Sequence, residues 1–244
     1  MTAARGAKVS VVMPVLNEEA AVHAALARLC RDFPECEVVV VDGGSADATV
    51  ELATPHAKVV HGPRGRALQM NEGARHCNGD VLWFLHADTR IDPAALGQIR
   101  TALADPRVVG GGLTLRFDRR SPGLDYLAYA SNARARRLHH IFGDQAMFVR
   151  REVFEALGGF PELALMEDLE MSRRLHRRGR LAVLPATSTA SARRLVEHGT
   201  WRMIVFMQCL KLQYFAGVDP RTIERRYAAG PLLPRLRRRR RPRV

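Results

Sequence analysis

Cysteine pairs, aromatic residues and long apolar runs are all scarce in this 244-residue chain, and each shortage removes a class of protein. The four cysteines, Cys30, Cys36, Cys77 and Cys209, show no C-x-x-C spacing and no cluster with histidine. Neither a structural zinc site nor a disulfide framework is therefore expected, and the thiols suit a reducing cytoplasm. The opening residues, MTAARGAKVSVVMPV, hold no apolar stretch of signal-peptide length, so secretion is not expected. No G-x-G-x-x-G follows the first apolar run and no G-x-x-x-x-G-K-[ST] occurs, which disfavours a dinucleotide fold and a P-loop. Aromatics are 6% of the chain and no nucleic-acid-binding motif or internal repeat is found.

What is abundant is positive charge, +13 in all. Residues 235–244, RLRRRRRPRV, hold seven of the 38 basic residues and no acid, leaving 31 basic against 25 acidic residues, or +6, elsewhere. Much of the excess is thus a tail, 231–244, expected to be disordered and able to attract an anionic surface. With 47% apolar residues, the remainder can bury a core of one domain with an appendage.

Periodicity gives the order of elements. Buried strands are expected at 9–15, 37–44, 58–61 and 81–85, and helices at 18–30, 46–53 with Ser45 as N-cap, 66–76 and 93–104. Strand and helix alternate four times in about one hundred residues, the signature of a parallel α/β sheet flanked by helices. Further on, strands are expected at 108–117, 146–149 and 181–185, with helices at 123–138, 151–157 and 166–179.

The chemistry lies where these strands end. VLWFLHADTRID, residues 81–92, runs from a buried strand straight into His86 and Asp88, while Asp42 closes the run VVVV ahead of Gly43 and Gly44. Both acids therefore emerge at the carboxyl edge of the sheet, where open α/β sheets bind ligands. Each taken alone is as well explained as a cap on the following turn. A nucleoside diphosphate is anionic, so carboxylates facing it need an intervening cation or hydroxyl and base donors. Asp88 with Mn²⁺ or Mg²⁺ would meet the diphosphate, and Asp42 would serve the base or ribose. Arg64 and Arg66, on a glycine-bearing loop before a helix, could pair an anion.

The segments VVMPVLNEE, VVVVDGGSADAT, GRALQMNEGA, GDVLWFLHADT and FPELALMEDLEMSRRL follow one another as in family-2 glycosyltransferases, and roughly residues 8–185 resemble that family. The His86-Ala87-Asp88 and Gly143-Asp144-Gln145 segments resemble its bacterial radical-SAM/selenodomain-associated subgroup. The resemblance implies a GT-A nucleotide-diphospho-sugar transferase fold over 1–197, with a nucleotide-binding part at about 8–105 and an acceptor part at about 106–197. It also implies an inverting, metal-dependent transfer from a nucleotide-diphospho-sugar. Pro14, Asn17 and Glu18 would line the nucleotide pocket, with Asp42 and Gly43 at the base. Asp88 would match the second acid of the D-x-D motif, and Asp168, beside Glu167, the catalytic base. His86 departs from the family's usual Asp. An imidazole suits Mn²⁺ better than Mg²⁺, or it orients Asp88 or bonds the ribose instead.

Residues 198–230 are expected to form a helical extension. Within it, 201–217 are strongly apolar but interrupted by Gln208, Lys211 and Gln213, a poor spanning helix. Burial against the catalytic domain or in a homodimer is one reading; peripheral contact with an anionic inner membrane, bringing the site to a lipid acceptor, is the other. A lipid or glycan hydroxyl is the expected acceptor class. A nucleotidyltransferase on a related sheet and a basic nucleic-acid-binding protein are the competing functions.

Overall fold

A computed structural model describes residues 6–231. The expected tail therefore lies outside the described residues except for Pro231. The first half alternates as expected: β1 (Val9–Val15), α1 (Val22–Asp32), β2 (Glu37–Asp42), α2 (Thr49–Ala53), β3 (Lys58–His61), α3 (Arg66–Arg75) and β4 (Val81–Phe84). The chain continues through a two-residue strand β5 (Arg90–Ile91), α4 (Ala95–Ala102), β6 (Val108–Phe117), α5 (Pro122–Leu138), a 3₁₀ turn (Gly143–Gln145) and β7 (Phe148–Arg150). It ends with α6 (Arg151–Ala156), α7 (Glu167–His176), β8 (Arg180–Ala190), α8 (Arg193–His198), α9 (Thr200–Phe215) and α10 (Pro220–Ala229).

The strands form one sheet in the order β3-β2-β1-β4-β7-β6-β8-β5. The first four pair in parallel. Beyond them β7 is antiparallel to both β4 and β6, β8 is parallel to β6, and β5 is antiparallel at the edge. Helices cover both faces, which is why the strands read as unbroken apolar runs. Val11, Met13, Val40 and Trp83 face a core under α1 and α4, while Val12, Val39, Val41 and Phe84 face one under α3 and α7. A third cluster joins Leu124 and Leu127 of α5 to Leu195, Met203 and Ile204. The C-terminal helices are thus packed onto the sheet through α5.

Three local expectations are corrected. Ser45 caps no helix: α2 begins at Thr49, and the Ser45 hydroxyl instead accepts the Asn17 N–H at 2.9 Å. The first helix begins at Val22 and not at 18, because Asn17 is left-handed (φ 55) and Glu18 N–H is taken by Thr49 Oγ1. The strand expected to stop at Pro185 runs on to Ala190, because a register shift beside Leu113 and Thr114 accommodates the proline.

Candidate functional site

The carboxyl ends of β1 and β2 are tied together before any ligand is considered. Asp42, 2% exposed, accepts the N–H groups of Gly44 and Ser45 at 3.0 and 3.1 Å, and His61 Nδ1 stands 3.5 Å away. Burial alone would raise its pKa, but these hydrogen bonds outweigh it and hold the carboxylate below its usual range. Asn17 Oδ1 accepts the Ala46 N–H at 2.9 Å, so the loops after β1 and β2 close on each other. Beneath them the buried Gln69 of α3, absent from the expected site, donates Nε2 to Val15 O at 2.8 Å and Val41 O at 2.9 Å. Gly43 passes over this amide so closely that a Cβ there would meet Gln69 Nε2 at 2.9 Å.

Pro14, Asn17, Glu18, Asp42, Gly43 and Asp88 thus share one sheet edge. Glu18 is half-buried, and its pKa is raised by burial first and by the nearby Asp88 charge second. Asp88 itself is exposed at the end of the β4 segment. Two carboxylates that repel one another across a nucleotide edge form an oxygen donor set for a hard cation. No group of three or more His, Cys, Asp or Glu able to hold a metal occurs among the described residues. A divalent ion held here must therefore complete its shell from ligand phosphates and water, the habit of Mg²⁺ and Mn²⁺ at nucleotides.

A second cluster forms where α3, the β4 end, the 3₁₀ turn and α7 meet. Arg66, His86, Gly143, Glu167 and Asp168 line one small cavity of about 10 Å³ with Met70, Phe84, Met147 and Phe160. Met166, left-handed at φ 71, turns the chain into α7, and Asn71 holds the approach by bonding both N–H and C=O of Phe160. Asp168 Oδ2 accepts the Gly143 N–H at 2.8 Å and Oδ1 the Leu169 N–H at 2.7 Å, which fixes the carboxylate. Glu167, 1% exposed, lies 3.3 Å from Arg66 Nη1. Burial and then the Asp168 charge raise its pKa, against the opposing pull of Arg66. Arg66 stays charged because Glu167 and Asp168 outweigh the cost of its burial.

His86 sides with this cluster. A Cβ on Gly143 would stand 2.6 Å from His86 Nε2 and 3.6 Å from Asp168 Oδ2, so the bare glycine brings imidazole and carboxylate to one spot. Burial and the Arg66 charge lower the His86 pKa to about 3, leaving a neutral ring. The geometry therefore places one ring nitrogen on the Asp168 side. Arg64 stays out of both clusters: it is exposed and makes no ion pair with a described residue.

Around Phe142 stand groups to which the sequence assigned no individual role: Asp144, named only within the Gly143-Asp144-Gln145 segment, Arg134 and Lys211. Asp144, next to Gly143, has a buried Oδ1 with no partner among the described residues, and burial raises its pKa to about 6. Arg134 of α5 stacks on Phe142 at 3.9 Å, and Lys211 of α9 lies 5.6 Å from the same ring.

A parallel first half, a mixed second half and helices on both faces of one sheet make up the GT-A architecture of glycosyltransferases. The mannosyltransferase PcManGT of Pyrobaculum calidifontis, solved with GDP-Man and Mn²⁺, shares the fold with TM-score 0.66 and 22% identity over 87% of this chain and 65% of that one. Residues 10–158 match Glycosyl transferase family 2, more than half of the chain, and the protein belongs to that family. A probable glycosyltransferase, YdaM of Bacillus subtilis, is 25% identical over 224 residues, 80% of this chain and 52% of that protein. The beta-monoglucosyldiacylglycerol synthase of Synechocystis is 26% identical over 194 residues, 69% of this chain and 40% of that protein. The chain thus spans about half or less of these relatives' length.

Proposed function

We propose that the protein transfers a sugar from a nucleotide-diphospho-sugar to a hydroxyl acceptor, with inversion at the anomeric carbon and with Asp168 as base. The observation that carries this reading is the fixed Asp168 carboxylate. Two backbone N–H groups fix it beside a cavity lined also by Arg66 and by His86, two residues before Asp88. Asp168 takes the acceptor proton as the acceptor oxygen bonds to the anomeric carbon, and the carbon–oxygen bond to the nucleoside diphosphate breaks on the opposite face. Pro14, Asn17, Glu18, Asp42 and Gly43 would hold the nucleoside, and Arg66 would face the diphosphate. Asp88, with Glu18 nearby, would hold Mn²⁺ or Mg²⁺, which when bound neutralises charge on the leaving diphosphate. Nothing here needs His86 as a ligand, and its place beside Gly143 suits orientation of the base. The His-Ala-Asp and Gly-Asp-Gln segments support the radical-SAM/selenodomain-associated subgroup.

Asp168→Asn keeps an oxygen for the Gly143 N–H but cannot take the proton, so turnover should fall about 10²–10⁴-fold with donor binding intact. Comparable turnover in that variant refutes the assignment. Donor binding is read by thermal shift with UDP, GDP, CDP and dTDP, each with Mn²⁺, Mg²⁺ or EDTA. Metal-dependent stabilisation by one diphosphate should disappear in Asp88→Ala; its persistence there removes Asp88 from the metal site.

Peripheral contact with an anionic membrane belongs to the same proposal. No helix of the described residues is long and apolar enough to cross a membrane. Yet every exposed large hydrophobic among them, including Tyr126, Tyr129, Trp201, Val205, Leu212 and Phe215, lies on α5, α8 or α9. Trp201, Val205, Leu212 and Phe215 recur at the helical spacing that makes one outward stripe.

A further inference from the structure

Lys211 and Arg134 are cations that the transfer chemistry has not used. Lys211 follows the buried Ile204 by seven residues on α9, so it is half-buried and lies near Phe142, just before the 3₁₀ turn. Its ammonium has three donors and finds no hydrogen bond or ion pair among the described residues; it lies 5.6 Å from the Phe142 ring. Arg134 spends Nε on His140 O at 3.2 Å and reaches Gln145 Oε1 at 3.5 Å with Nη2, and it too makes no ion pair among the described residues. Phe142, between them, immediately precedes Gly143, whose N–H holds Asp168. The Asp144 and Asp168 carboxylates attract both cations without touching either. Two half-buried cations flanking one ring, each with donors unfilled, make an incomplete site that an anion completes.

We propose that Lys211 and Arg134 form a phosphate-binding subsite on the acceptor side, so that the acceptor is a hydroxyl compound carrying a phosphate group close to its nucleophilic oxygen. This deepens the proposed function and rests on it for the word acceptor alone. The phosphate oxygens bridge Lys211 Nζ and the free Arg134 nitrogen, which leaves the acceptor hydroxyl beside Asp168. The same α9 presents its apolar stripe outward, so the phosphate could arrive on a soluble compound or at a lipid headgroup.

The test uses the full chain saturated with Mn²⁺ and the best-stabilising nucleoside diphosphate, which fills the donor side, and titrates inorganic phosphate at constant ionic strength by calorimetry. Wild type should bind phosphate. Lys211→Gln and Arg134→Gln should each weaken it about tenfold or more, whereas Lys211→Arg should retain it. Nucleoside diphosphate binding should be equal in all four proteins. Loss of nucleotide binding in the two glutamine variants would assign the cations to the donor and overturn the proposal. So would phosphate affinity unchanged in those variants, or no phosphate binding to wild type. If no nucleotide stabilises wild type while the Lys211-dependent phosphate binding persists, the donor reading fails and the anion subsite stands. Vesicles of phosphatidic acid and phosphatidylcholine distinguish the sources. Binding that needs phosphatidic acid and falls in Lys211→Gln indicates a lipid phosphate, and binding indifferent to Lys211 leaves the soluble phosphate compound.

Discussion

Replacing Gly143 by alanine would place one methyl group between the two sides of the site. Gly143 is not among the residues with positive φ, so the backbone accepts alanine and the effect is purely steric. The new carbon would stand 2.6 Å from His86 Nε2, so the imidazole must retreat by about 0.8 Å to reach ordinary contact distance. Little room exists for the retreat. The cavity shared by Arg66, Met70, Phe84, His86 and Phe160 is about 10 Å³, the space of about one water. Overpacking of this kind costs about 1–3 kcal/mol. Spread over a chain of this length, that lowers Tm by only about 2–10 °C. The Gly143 N–H also carries the bond to Asp168, so a shift of the turn moves the base, and a displacement near 1 Å can cost about 100-fold in rate. The assay pairs thermal unfolding with release of nucleoside diphosphate from the nucleotide-sugar. The expected result is a folded protein that binds nucleotide normally and turns over about 100-fold more slowly. Turnover within about twofold of wild type would refute the idea that this glycine sets the position of the base.

Two further outcomes follow from the same geometry. Gln69→Leu removes both amide hydrogen bonds beneath the loops after β1 and β2, which should cost about 2 kcal/mol and lower Tm by about 4–8 °C; an unchanged Tm would show that the bonds hold nothing. Burial raises the Asp144 pKa from its ordinary 3.8 to about 6, so the folded state grips its proton more tightly than the unfolded chain. Its cost to stability is absent below about pH 4, grows between about 4 and 6, and is fully present above that. The gain in stability of Asp144→Asn over wild type should therefore rise across that window in urea titrations, and a gain independent of pH would count against the buried charge.

The nucleotide half was legible because its signals are local. Valine-rich runs covered on both faces, each ending in an acid, announce the strands and their edge without reference to any other part of the chain. Asp42 and Asp88 could be singled out this way, since each follows a buried strand, whereas Asp168, at the start of a helix, was singled out only through the family resemblance. Gln69 could be found in neither way, because its role depends on two carbonyls 28 and 54 residues away. Lys211 was hidden for the same reason: within 201–217 it reads as an interruption of an apolar helix, and only packing through Leu124, Leu195 and Met203 turns it toward Asp144. Of the polar residues that interrupt this helix, Gln208 is exposed and Lys211 half-buried. In the second half of the sheet β6 was legible at its full length, whereas the antiparallel placing of β7 and the continuation of β8 past Pro185 leave no periodic trace.

The contact between Gly43 and Gln69 restricts how this protein can diversify. A side chain at 43 needs a shorter residue at 69, and a shorter residue at 69 abandons the carbonyls of Val15 and Val41. Either change made first costs stability, about 2 kcal/mol for loss of the amide bonds, so the two positions are expected to vary as a pair. Paired randomisation of positions 43 and 69 should recover the native combination far more often than independent sampling of the two would give.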